Sequence, residues 1–166
     1  MTNHSAADNG TLATEAGAAL LAAGLRAVTA ESCTGGGVAT ALTDVPGSSQ
    51  WFERGYVTYS NAAKMQDLGV ESGVLERHGA VSAAVVEQMV SGALRASGAD
   101  VAVAVSGVAG PDGGTLEKPV GLVYLAIGRR GGAVRTFREL FPGDRAEVRR
   151  AAVAAALRLL AQAAQP

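Results

Sequence analysis

A single cysteine, Cys33, stands among the 166 residues, which excludes an internal disulfide and a cysteine-rich metal site. The two histidines, His4 and His78, form no ligand pair of recognisable spacing, so no metal is expected. Aromatic residues make up only 4% of the chain although apolar residues reach 48%, so the core must be built mainly of Val, Leu, Ile and Ala. No excess of either charge is present: 14 Lys and Arg face 15 Asp and Glu. The net charge of −1 leaves no global field to attract nucleic acid or an anionic membrane. No run of about 18 apolar residues marks a membrane span, and the polar start MTNHSAADNG lacks the plan of a signal peptide. These absences point to a cytoplasmic protein that recognises any anion locally. The length suits one domain over residues 11–166, behind a disordered tail at residues 1–10.

What is abundant is glycine, 22 residues, concentrated in turns that follow apolar runs. The pattern predicts a helix over Leu12–Ala23 stopped by Gly24, then a buried strand over Arg26–Ala30. A helix over Gly36–Leu42, a strand within Trp51–Tyr59 and a short helix capped by Asn61 follow. Helices are expected over Ser72–Arg77 and Ser82–Ala96, the second capped by Ser82. Alternating Val and Ala over Asp100–Ser106 is the clearest strand. Val120–Gly128 and Ala133–Leu140 read as a hairpin closed at Arg130-Gly131-Gly132. A last helix, Arg145–Ala164, opens at Asp144 with Glu147 placed to complete a capping box. Strands interleaved with helices give an α/β class: a three-layer α/β/α sandwich around a mixed, mostly parallel sheet. In such sheets ligands collect beyond strand ends, where glycine-rich turns meet helix starts.

Two such turns stand out. Residues 30–37, AESCTGGG, bring a carboxylate, Glu31, two candidate nucleophiles, Ser32 and Cys33, and a hydroxyl, Thr34, next to Gly35 and Gly36. This is not a phosphate loop of the GxxxxGK[ST] kind, because no lysine follows the glycines. Residues 107–114, GVAGPDGG, follow Ser106 and carry Gly107, Gly110, Gly113 and Gly114; they do not match G-x-G-x-x-G. Bare N–H groups in both turns can cradle an anion.

A serine nucleophile needs a base. His78 ends a helix before Gly79, where a capping role suits it better, and this leaves Lys64 or Tyr59 as the candidate base beside the Tyr59-Ser60-Asn61 turn. A plain reading of each remains open at this point. Lys64 as a solvated helix lysine, Cys33 as a small buried residue, Thr34 as a helix cap and Glu31 as a brace of the turn all fit the sequence. Arg145 and Arg149, four residues apart, either hold a phosphate at the start of the last helix or form a solvated basic stripe with Arg150 and Arg158.

AESCTGGG, VPGSSQWFERGYVTYSNAAK (45–64), SGVAGPDGG (106–114) with Lys118-Pro119-Val120-Gly121, and PGDRAEVR (142–149) together resemble the C-terminal domain of the competence/damage-inducible CinA proteins. The resemblance runs from about Leu12 onward, with four motifs in order. It implies an α/β/α domain that hydrolyses the carboxamide of nicotinamide mononucleotide, NMN, to nicotinate mononucleotide and ammonia without metal or organic cofactor. It also implies a homo-oligomer, most simply a dimer. By motif it assigns Ser32, Tyr59 and Lys64 to catalysis, and Ser106 and Arg145 to the substrate. Glu31, Cys33, Thr34, Gly35, Gly36, Gly107, Gly110, Gly113 and Gly114 complete the expected binding surface. The extra N-terminal domain of the larger CinA proteins is not expected in this chain. A non-catalytic nucleotide-binding or regulatory module is the alternative.

Overall fold

The computed structural model describes residues 8–166. Most of the expected disordered tail, and His4 with it, lies outside the described residues. Asn9 and Gly10 are already helical, because the Asp8 side chain accepts the Thr11 N–H and caps α1 (Asn9–Ala23). Gly24, in the left-handed region at φ 66°, ends that helix as its sequence position implied.

The remaining elements are β1 (Ala27–Glu31), α2 (Gly37–Thr43), β2 (Phe52–Val57), α3 (Asn61–Leu68), α4 (Ser72–His78), α5 (Ala83–Ala96), β3 (Val101–Gly107), β4 (Leu122–Arg129), β5 (Val134–Leu140) and α6 (Arg145–Ala163). They form one five-stranded sheet in the order β2-β1-β3-β4-β5. β1 pairs in parallel with both β2 and β3, whereas β4 is antiparallel to β3 and to β5. Only β4 therefore runs against the rest, and the sheet is mixed but mostly parallel.

Period-two alternation sorts the side chains of β3 between two cores. Val101, Val103 and Val105 join Ala27, Leu125 and Ile127 beneath α1, α2 and α6. Ala102 and Ala104 join Val28, Ala30 and Ala126 beneath α3, α4 and α5. Alanines on this second face let α5 lie close to the strands, so few aromatics are needed to fill the gap. Contact is equally close between helices: a Cβ on Gly92 of α5 would sit 1.9 Å from the Leu68 carbonyl oxygen that ends α3.

β1 lies between its two parallel neighbours, so successive connections leave it in opposite directions. The crevice beyond the carboxyl ends of β1 and β3 is thus the topological switch point of the sheet. Both glycine-rich turns open there, and the Ser32 N–H donates to the Val105 carbonyl at 2.9 Å, tying the first turn to β3. The chain leaving β2 delivers α3 to the same end.

Candidate active site

Lys64 is the largest fully buried side chain, 1% exposed, which overturns the solvated-lysine reading. Ser60, rather than Asn61, caps α3 by accepting the Ala63 N–H at 3.0 Å; the cap sets the helix so that Lys64 turns inward from its first turns. Its Nζ donates to the carbonyls of Thr58 at 2.8 Å and Tyr59 at 3.0 Å, and lies 3.0 Å from Ser32 Oγ. Burial holds its pKa below the ordinary lysine value by disfavouring the ammonium. A neutral amine has two N–H donors and one lone pair. The two carbonyls can only accept, so they use both donors. In that neutral form the lone pair is left for the third neighbour, Ser32 Oγ, which in the ammonium form accepts from Nζ.

Tyr59 contributes differently from the expectation. Its carbonyl holds Lys64, whereas its side chain is 62% exposed and its hydroxyl makes no hydrogen bond among the described residues. Thr58, absent from the expected set, supplies the other carbonyl, and its N–H reaches the Glu31 carbonyl at 2.9 Å. No side-chain chemistry in the sequence marks Thr58, because it acts through its backbone.

The turn after β1 is clamped from within. Glu31, fully buried, accepts from Thr34 Oγ1 at 2.7 Å and from the N–H groups of Val38 at 2.8 Å and Ala39 at 3.0 Å. It is a brace at the start of α2, not a free substrate contact, and its position suits the positive end of a helix. Thr34 spends its hydroxyl on Glu31 instead of capping α2, whose N-cap is Gly36 at φ 93°. Cys33 packs into the core beneath α1 and α6, and burial pushes its thiol up to about 11, which disfavours the reactive thiolate.

Within this turn the N–H groups of Ser32, Gly35 and Gly37 are committed to the carbonyls of Val105, Ser32 and Thr34. Those of Thr34 and Gly36 have no acceptor among the described residues. Gly35 thus serves the turn through its backbone conformation, at φ 58°, and its N–H is held within the turn.

The second turn is held by side chains from elsewhere. Ser106, 1% exposed, donates to the Ala80 carbonyl at 2.9 Å, and Lys118 Nζ donates to the His78 carbonyl at the end of α4. Ser106 is therefore committed to the α4–α5 connection, and His78 takes part through its backbone. Gly107 lies against β4, where a Cβ would meet the Leu122 carbonyl oxygen at 2.8 Å. Gly110 is buried and gives its carbonyl to Arg145 Nη1 at 2.7 Å. Gly113 and Gly114 lie on the exposed outer part of the turn.

A cleft of about 670 Å³ opens between this turn and the start of α6, lined by Ala109, Pro111, Val120, Gly143, Asp144, Arg145, Ala146 and Arg149. It adjoins the Ser32 turn through Arg149, whose Nε donates to the Cys33 carbonyl at 3.1 Å and whose Nη2 donates to the Thr34 carbonyl at 3.2 Å. The Arg145–Arg149 spacing in the sequence was the signal for this pair. Both guanidinium groups hold turn carbonyls, yet each has donors left over.

An open α/β/α sheet with a strand-end serine against a buried lysine, next to a cleft edged by two arginines, defines a small-molecule site at a switch point. The chain belongs to the CinA C-terminal domain family, whose model matches residues 9–164. It is 56% identical over 151 residues to the nicotinamide-nucleotide amidohydrolase PncC of Escherichia coli, covering 91% of this chain and 92% of that protein. The protein of the same name from Pseudomonas putida is 60% identical over 147 residues, covering 89% and 91%. Among solved structures, the competence/damage inducible protein CihA of Agrobacterium tumefaciens superposes with a TM-score of 0.93 at 46% identity, covering 96% of this chain and 97% of that one.

Proposed function

We propose that the protein hydrolyses the carboxamide of NMN, yielding nicotinate mononucleotide and ammonia, through Ser32 as nucleophile and Lys64 as base. The observation that carries this reading is the Lys64 amine, buried, with two carbonyl acceptors and Ser32 Oγ as its three neighbours. The relatives named nicotinamide-nucleotide amidohydrolase supply the substrate class.

Lys64 takes the Ser32 proton as Oγ attacks the carboxamide carbon. The carbonyl oxygen becomes an oxyanion and takes hydrogen bonds from the free N–H groups of the Ser32 turn, a contribution of about 3 kcal/mol per donor. Collapse of this intermediate breaks the C–N bond, and the proton on Lys64 passes to the departing nitrogen as ammonia leaves. Water then attacks the Ser32 ester, giving its proton to Lys64, which returns it to Oγ as the acid departs. The cleft bounded by Arg145 and Arg149 takes the ribose phosphate, a dianion suited to guanidinium forks. The same reading carries a cytoplasmic homo-oligomer, which sedimentation of the purified chain tests.

Incubation with NMN, with ammonia and the acid product measured, tests the activity. Ser32→Ala and Lys64→Met are each expected to lower kcat at least about 1,000-fold, in line with removal of a nucleophile or its base. Near wild-type turnover in both variants would overturn the serine–lysine mechanism, and an inactive wild type would favour a non-catalytic binding module.

A further inference from the structure

The Cys33 carbonyl has one donor among the described residues, Arg149 Nε at 3.1 Å. In a planar trans peptide the C=O of one residue and the N–H of the next point in opposite directions. Fixing the Cys33 carbonyl toward α6 therefore fixes the Thr34 N–H away from α6. That N–H, like that of Gly36, has no acceptor among the described residues. The next peptide is held twice, because the Thr34 carbonyl accepts from both Arg149 Nη2 at 3.2 Å and Gly37 N–H at 2.9 Å. Glu31 grips the same residue through its hydroxyl. The Cys33–Thr34 peptide is thus the one unit of the clamped turn whose orientation depends on a single distant side chain.

We infer that Arg149 is a positioning residue, which orients the Thr34 N–H as an oxyanion donor. This inference rests on Ser32 being the nucleophile of the proposed reaction. A guanidinium has five N–H donors, and Arg149 spends two on the turn, leaving three at the cleft it lines. Without it, the Cys33–Thr34 peptide can rotate. Its carbonyl would then meet the developing oxyanion with a lone pair in place of a donor. A residue that only bound phosphate would instead act on substrate affinity.

The test compares Arg149→Gln and Arg149→Lys with wild type by two readouts. In steady-state ammonia release from NMN, Arg149→Gln is expected to lower kcat about 100-fold, the usual effect of losing one oxyanion donor, in addition to the rise in KM that losing a phosphate ligand brings. Arg149→Lys, which can reach one carbonyl but not span two, is expected to recover part of the loss. The second readout is the rate at which a fluorophosphonate labels Ser32, followed by mass spectrometry. Oγ–P bond formation expels fluoride there, and the phosphoryl oxygen occupies the oxyanion position. The labelling rate is expected to fall in parallel with kcat while the unfolding midpoint of Arg149→Lys stays near wild type. A raised KM with unchanged kcat in both variants overturns the inference and leaves Arg149 a phosphate ligand. Arg149-dependent labelling of a wild type that does not hydrolyse NMN upholds the inference and removes the substrate reading. A wild type that is neither labelled nor active overturns both.

Discussion

An amine held in apolar surroundings resists protonation, and Lys64 ties two pH dependences to that resistance. Its pKa in the folded chain is lowered from the ordinary 10.5 by burial, so between the two values the unfolded chain binds more protons than the folded one. Stability from this group is therefore fully present above about 10.5 and is lost as pH falls through the lowered value. Urea unfolding followed from neutral to alkaline pH should show stability rising with pH, and Lys64→Met should flatten that rise. In the proposed mechanism the kcat/KM for amide hydrolysis should rise through the lowered value and level off above it, while stability goes on rising toward 10.5, because only the neutral amine accepts the Ser32 proton. Sequence alone left Lys64 undecided between base and surface lysine, since a helical pattern does not report how deeply one turn is buried. Ser32 and Cys33 were equally undecided. They differ in which way adjacent side chains turn at the end of β1: one faces Lys64 and the other enters the core.

At the level of elements, the clearest marks lay where a local side chain makes the structure. Asp144 and Glu147 form the capping box that starts α6, and Ser82 caps α5, as their positions implied. Where competing hydroxyls stood close together the assignment changed: Ser60 took the cap of α3 from Asn61, and Thr34 gave up the cap of α2 to bond Glu31. Close approach of helices left a weaker trace. Gly92 is an ordinary small residue in an Ala-rich helix until α3 is laid against it. Gly92→Ala would drive a methyl group into the Leu68 carbonyl at 1.9 Å, and the repacking should cost about 1–3 kcal/mol in urea unfolding. Because α3 also carries Lys64, the same variant should lose amide hydrolysis out of proportion to the population unfolded.

For the molecule as a whole, the proposed function depends on three stretches far apart in the chain meeting at one end of the sheet. Ser32 follows β1, Lys64 follows β2, and the cleft lies between the turn after β3 and the start of α6. Arg145 closes the cleft by bonding the Gly110 carbonyl at 2.7 Å, and its other donors have no partner among the described residues. Arg145→Ala should therefore raise KM for NMN at least about 10-fold and change KM for nicotinamide riboside, which lacks the phosphate, far less; steady-state ammonia release on both substrates measures it. By itself the sequence determined the α/β class, the element order and the two turns that bear the chemistry. These follow from periodicity, glycine placement and caps, all of which act over a few residues. Only the tertiary structure decided that Lys64 is buried against Ser32, that the Tyr59 carbonyl accepts from Lys64, that Glu31 and Ser106 brace their neighbours, and that Arg149 grips the turn bearing Ser32. Each of those roles is a distance between residues brought together by sheet order and helix packing, and no local pattern encodes such a distance.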